Sequence, residues 1–345
     1  MSSSSGEPYA WFGGRLATGL EDVTDDLSAL DGSGWWAVVV DFEGTVRCAR
    51  FADVRQAALP PGRWAGVPTA AWTSSMTREQ YVAAVGVVRA GIAVGDHYQV
   101  NLCRVLSADL PDPAGDAHHA QHAAMSGLAA LLAVGNPAPH AGVVSLAAYD
   151  ISVVSASPEL FLRRDGDVVE SGPIKGTAAT ADGLTDKDRA ENVMIVDLVR
   201  NDLGVVAVTG SVEVPALCAI EEHPGLVHLV SRVRARLRPE AGWPELMAAA
   251  FPPGSVTGAP KSAALDAIRA LEPVPRGPYC GAVGWVDADR RKAELAVGIR
   301  TFWAMGGRLC FGTGAGITWG SDAVREWDET ELKARRLLAV ASQVS

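Results

Sequence analysis

Between Ser171 and Gly204 the chain reads SGPIKGTAATADGLTDKDRAENVMIVDLVRNDLG, which sets one amine, Lys175, in a tight Ile-Lys-Gly loop ahead of a segment carrying Glu191. A lysine that sheds its proton is a nucleophile, and a glutamate is a hard oxygen donor for a cation. Taken singly, both residues also read as ordinary solvated charges. A second set, Glu326, Glu329 and Lys333, falls at i, i+3 and i+7 and so shares one helical stripe. Glu329 and Lys333 alone would serve as a surface i,i+4 pair. Just ahead of them, Gly314-Ala315-Gly316 in GTGAGITWGS allows backbone N–H groups close to an anion beside a helix start. Thr257, Gly258 and Lys261 converge on another helix start, although G-x-x-x-G-x-P-K matches a phosphate loop only loosely. Two carboxylate-bearing helices and four separated cations, Lys175, Lys261, Arg300 and Lys333, point to a hard metal ion such as Mg2+ held with an anionic ligand. Mg2+ asks for only one or two protein carboxylates, which Glu191 and Glu329 would meet.

The elements that must position these groups follow from local pattern. Thr185 caps a helix with Asp188 three residues on; Ala190, Val193, Met194, Val196 and Leu198 recur at helical spacing, and Asn201 to Gly204 supply a stop. Glu191 then projects from the first two turns. Thr77 with Gln80 opens a helix running to Ala93, and Ser321 is expected to cap the C-terminal one. His97 to Leu106 reads as a strand with Gln99, Asn101 and Cys103 on one face and Val100 and Leu102 on the other, either a solvent face or a pocket wall. Trp35 to Phe51 forms a hairpin, Asp165-Gly166 turns another, His223 and His228 flank a Pro-Gly turn, and the last third reads as an antiparallel meander. Regular βαβ alternation is missing, so the class is α+β with large antiparallel sheets. His118 and His122, four apart, could in principle bind a metal, but no nearby carboxylate or cysteine completes a ligand set, and an exposed face is expected.

The chain has 345 residues, 48% of them apolar, enough for a substantial core, and a net charge of −10. That charge argues against nucleic acid as the main partner, which requires a basic face. The five cysteines form no C-x-x-C pair and favour a reduced cytoplasm. The N-terminus has no signal-peptide pattern, residues 1 to 8 are Ser-rich and expected to be disordered, and no run of about 18 apolar residues predicts a membrane span.

Several longer motifs, SPELFL, PIKGT, ENVMIVDLVRND, HLVS, FPPGSVTGAPK, GPYCGAVG, GIRT and GTGAGI with EWDETELKA, occur in one order from about Met76 to the C-terminus. In them the chain resembles the chorismate-utilising enzymes, which include anthranilate, aminodeoxychorismate, isochorismate and salicylate synthases. The resemblance implies that family's fold, large antiparallel sheets packed as a sandwich with helices outside. It also implies a catalytic domain over 76–345, with 1–75 a short N-terminal region forming one globular unit with it. Within the family the lysine of P-I-K-G-T marks members resembling aminodeoxychorismate synthase, where it attacks C2 of chorismate. Anthranilate synthases carry P-I-A-G-T, and isochorismate and salicylate synthases use a different, water-activating lysine near the position of Gln99.

By the same resemblance, Glu159 would be the general acid for the departing C4 hydroxyl, and Mg2+ would be held by Glu191 and Glu329, with Glu326 beside them. Gly176, Thr177, Gln99, Asn101, His228, Thr257, Tyr279, Arg300, Gly314, Ala315, Gly316 and Lys333 would line the substrate site. Ammonia would come from a separate glutamine amidotransferase subunit, since no G-x-C-x-G nucleophile occurs and Cys280 sits in P-Y-C-G-A. The alternatives are an anthranilate or isochorismate/salicylate synthase-like enzyme, or a non-catalytic chorismate-binding protein. Two features depart from the family: Ala178-Ala179-Thr180 follows PIKGT in place of Arg-Pro or similar, and the region before Thr77 is short, which makes a tryptophan-binding regulatory site doubtful.

Overall fold

A computed structural model of the chain describes residues 7–110, 117–178, 180–223 and 226–345. The first six residues, Ala179 and the Pro-Gly turn before His228 lie outside them. Among the described residues eighteen strands join one hydrogen-bonded network, and every pairing between them is antiparallel. Together with the helices packed on it, this is the expected α+β architecture. None of the helices among the described residues is long and apolar enough to cross a membrane.

The hairpin strands Trp35–Val40 and Val46–Gln56 pair as the sequence predicts. All six residues of Trp35–Val40 are buried, because its second edge pairs with Ala282–Asp287, nearly 250 residues away in sequence. The Tyr9–Phe12 strand pairs likewise with His140–Leu146. The hydrogen-bond network therefore runs straight across residue 75.

Helices cover this network with apolar stripes. Arg78–Val94 starts from a reciprocal Thr77 and Gln80 capping box and buries Tyr81, Ala84, Val85 and Val88, positions on one face of a 3.6-residue repeat. Asp186–Gly204 starts from the Thr185 and Asp188 box and buries Ile195, Val196, Val199 and Leu203. Each such aliphatic side chain contributes roughly 1.5–3 kcal/mol on burial, so four outweigh the ~1 kcal/mol of a cap. The caps fix where each helix begins, and the stripe fixes which way it faces.

Three local expectations are corrected. Lys175 lies within a strand, Ile174–Ala178, instead of a loop; Gly176 at φ +86° accommodates a shift in pairing register there. The C-terminal helix Ala323–Ala341 is capped by Asp322, which accepts from Arg325 N at 3.0 Å, while Ser321 accepts from Thr318 N. His118 is exposed, but His122 is buried, with Nδ1 2.6 Å from Ser145 Oγ.

Candidate active site

The Gln99–Asp109 strand forms the floor of the site. It pairs along ten positions with Arg308–Ile317, and its first residues pair on the other edge with Gly258–Ala259. Every residue from Gln99 to Leu106 is buried, so the polar face of this strand is not a solvent face. Gly316 sits opposite Asn101, and a Cβ there would lie 2.5 Å from Gln99 Nε2 and 3.9 Å from Lys175 Nζ. Glycine at 316 is thus the clearance that lets a glutamine amide and a lysine amine approach the same patch of strand.

The Lys175 amine donates to the carbonyl of Ser255 at 2.9 Å, on the short turn Gly254–Val256. The Ser255 hydroxyl in turn bonds Glu159. Glu159 stands just ahead of the Leu160–Asp165 strand and is only 4% exposed. Burial pushes its carboxyl up, with Ser255 and the nearby Lys175 charge pulling it part of the way back. Burial pushes the Lys175 amine down, against the pull of Glu159 and Glu191.

The two groups share a site but make no ion pair within 4 Å among the described residues. At such separations and an effective dielectric near 20, their attraction is below about 4 kcal/mol. Removing two charges from water costs several kcal/mol each, partly relieved here because Lys175 is only half-buried. Burial thus biases Glu159 toward its neutral carboxylic acid and Lys175 toward its free amine, the acid and nucleophile pair that covalent displacement needs.

Three carboxylates approach from two helices. Glu191, on Asp186–Gly204, and Glu329, on Ala323–Ala341, both act on the Lys175 amine. Glu326 is buried, and burial, with Glu329 beside it, raises its carboxyl. Glu191 is 3.6 Å from Lys187, and Glu329 is 2.6 Å from Lys333. No group of three or more His, Cys, Asp or Glu forms a metal cluster among the described residues. The donors are all carboxylate oxygens, and two such donors suffice for a cation completed by substrate and water oxygens, so the set fits a hard divalent ion.

Lys333 Nζ donates to the carbonyl of Gly314 at 3.0 Å. Gly314, Ala315 and Gly316 lie in a strand and not in an anion-binding loop at the helix start. Lys261 is likewise held by Asp202 at 2.8 Å and Ala250 O at 3.2 Å. Arg300 is half-buried with φ +51°, and burial, then the charge of Arg336, hold its guanidinium below the ordinary value. Tyr279 is buried with its ring against Gly312 and its hydroxyl near Cys103. Thr257 Oγ1 donates to Pro253 O, and Asn101 N donates to Thr257 O. His228 is buried opposite Thr177 in the strand register.

Sequence reasoning missed Ser255, which touches both principal residues. It lies inside FPPGSVTGAPK, but a backbone carbonyl carries no side-chain signature. It also missed the Arg276 and Glu272 pair that braces the floor: Arg276 donates to Glu272, Asn101 O and Val256 O, and Glu272 accepts from Cys103 N.

Residues 46–339 match the family of chorismate binding enzymes, and the chain belongs to that family. Over 322 residues it is 37% identical to aminodeoxychorismate synthase component 1 of Salmonella typhimurium, covering 88% of this chain and 68% of that protein. It is 40% identical over 281 residues to an anthranilate synthase component 1 of Haloarcula marismortui, covering 78% of this chain and 55% of that one. The solved menaquinone-specific isochorismate synthase of Escherichia coli shares the fold, with a TM-score of 0.79 at 17% identity over 99% of this chain and 92% of that one.

Proposed function

We propose that the protein is the chorismate-aminating component of an aminodeoxychorismate synthase, converting chorismate and ammonia to 4-amino-4-deoxychorismate for 4-aminobenzoate and folate supply. The observation that carries this reading is the Lys175 amine, held by Ser255 O beside the buried acid Glu159. Neutral Lys175 attacks C2; the C2–N bond forms, the ring double bonds shift and the C4–O bond breaks. Glu159 gives its proton to the departing oxygen, which leaves as water. Ammonia then bonds to C4, the C2–N bond breaks, and the electron pair returns to Lys175. The excess proton on the new amine goes to the Glu159 carboxylate, which restores both residues for the next turnover.

Lys333, Arg300, Tyr279 and the Gly314 to Gly316 backbone would hold the substrate carboxylates. Gly176, Thr177, Asn101, His228 and Thr257 would bound the ring. Mg2+, held by Glu191 and Glu329 with Glu326 alongside, would neutralise the ring carboxylate when bound. Gln99 keeps an amide where a water-activating lysine would direct the chemistry to oxygen. A glutamine amidotransferase subunit would supply ammonia, consistent with the component naming of the relatives. The free thiols among the described residues support a reducing, cytoplasmic setting.

Product identification after incubation with chorismate, Mg2+ and ammonium tests this. 4-Amino-4-deoxychorismate is expected; anthranilate, isochorismate or salicylate in its place rejects it.

A further inference from the structure

Beside Glu159 lies a cavity of about 20 Å3. Such a volume admits one molecule the size of water or ammonia. Glu159 and Ser255 face it, Asp202 borders it as well, and Phe161, Val199 and Ala250 supply apolar wall. Asp202 is only partly buried, and it already binds a primary ammonium group, Lys261 Nζ, at 2.8 Å. The cavity thus joins a carboxylate suited to N–H donors, on a partly exposed ion pair, to the acid that works at C4.

We propose that this cavity is the seat from which ammonia reaches C4, bounded by Asp202, the partner of Lys261, and by Glu159. The inference rests on the amination reading and adds a location to it. The group that leaves and the group that arrives share one carbon, so the carboxyl that protonates the first must stand beside the approach of the second. Neutral ammonia passes an apolar wall that rejects charged ammonium, and the single-molecule volume excludes larger amines. At C4 the new C–N bond forms as the Lys175 C2–N bond breaks, and Glu159, left as a carboxylate by the first step, takes the surplus proton.

Val199 lines the cavity from the Asp186–Gly204 helix with an apolar side chain that can neither ionise nor hydrogen-bond, so it is the residue to vary. Initial rates of 4-amino-4-deoxychorismate formation are measured on the full chain with ammonium chloride as the nitrogen source, at fixed pH and ionic strength. Val199→Leu should raise the KM for ammonium about tenfold, as a loss of about 1.4 kcal/mol would, and leave the KM for chorismate within about twofold. Val199→Ala should widen the cavity and raise the rate with methylamine relative to ammonia. An unchanged ammonium KM in a folded Val199→Leu protein overturns the assignment. Should that variant not fold, an unchanged methylamine-to-ammonia ratio in Val199→Ala overturns it instead. Failure of the unaltered protein to form any aminated product would refute the amination reading, an outcome distinct from either of these.

Discussion

Arg276 and Lys175 are basic side chains that both donate to the short turn Gly254–Val256, and their surroundings are opposite. Arg276 is 1% exposed and donates to both oxygens of Glu272, to Asn101 O and to Val256 O, with its guanidinium 4.1 Å from the centre of the Phe42 ring. Among the described residues, Lys175 has one hydrogen bond, to a neutral carbonyl, and no carboxylate within ion-pair distance. Beside it the Gln99 Oε1 is buried with no hydrogen-bond partner among the described residues. A buried cation with its hydrogen bonds met is a brace that resists change, because breaking it strands a charge. A half-buried amine that meets a neutral carbonyl in place of a carboxylate is biased toward its uncharged state, and that is what makes it reactive. The contrast separates scaffold from chemistry without reference to any relative.

The largest expected effect falls on the under-satisfied side. Lys175→Ala should cut product formation about a thousandfold or more, since no other amine replaces the nucleophile. Stability in a urea titration should hold or rise slightly, because a poorly solvated amine has been removed. A stability loss comparable to that expected for Arg276 would erase the distinction between the two sites.

Glu159→Gln should follow, lowering the rate by about 10^2 to 10^4. The pH profile carries the sign. Catalysis needs Lys175 without its proton, so activity climbs as pH rises, and the lowered amine brings that climb below the usual lysine range. It also needs Glu159 with its proton, so ionisation of the acid opposes the climb and turns it into a bell. In Glu159→Gln the opposing ionisation is gone, and the residual activity should rise with pH and level off. A residual profile that still falls at high pH assigns the acid to another group.

Arg276→Ala tests the other side. Leaving Glu272 buried and uncompensated should cost about 3–5 kcal/mol in urea unfolding, with activity lost only as the folded fraction falls.

The same contrast explains what could be read from the residues alone. Thr77 with Gln80, Thr185 with Asp188 and the Asp165-Gly166 hairpin are encoded within a few positions, and local spacing revealed them. Ser321 and Asp322 are adjacent and both able to cap; which one does depends on the Thr318 N–H that takes Ser321. His122 lies in an alanine-rich segment with no polar face to orient it, and its partner Ser145 is 23 residues away. Lys175 and Glu159 were legible as types, whereas their proximity through Ser255 required the Gly254–Val256 turn to meet two distant strands. Asp202 read as part of a helix stop, and only packing places it on the same cavity as Glu159.

Two glycines on one strand offer the finest division between scaffold and chemistry. In Gly316→Ala the new methyl would meet the Gln99 amide nitrogen at 2.5 Å, with Lys175 Nζ 3.9 Å off; these are side-chain ends that can swing aside. Gly314→Ala would meet Cys103 Sγ at 2.6 Å and the Leu102 carbonyl at 2.7 Å, and a backbone oxygen cannot move without parting the two paired strands. Gly314→Ala should therefore lose about 1–3 kcal/mol of stability, as overpacking of a filled interior does. Gly316→Ala should unfold close to the parent midpoint, and lose activity through the displaced Gln99 and Lys175. Urea midpoints and kcat/KM measured on both variants decide it: equal stability losses would mean that residue 316 belongs to the scaffold and that the reactive patch begins closer to Ser255.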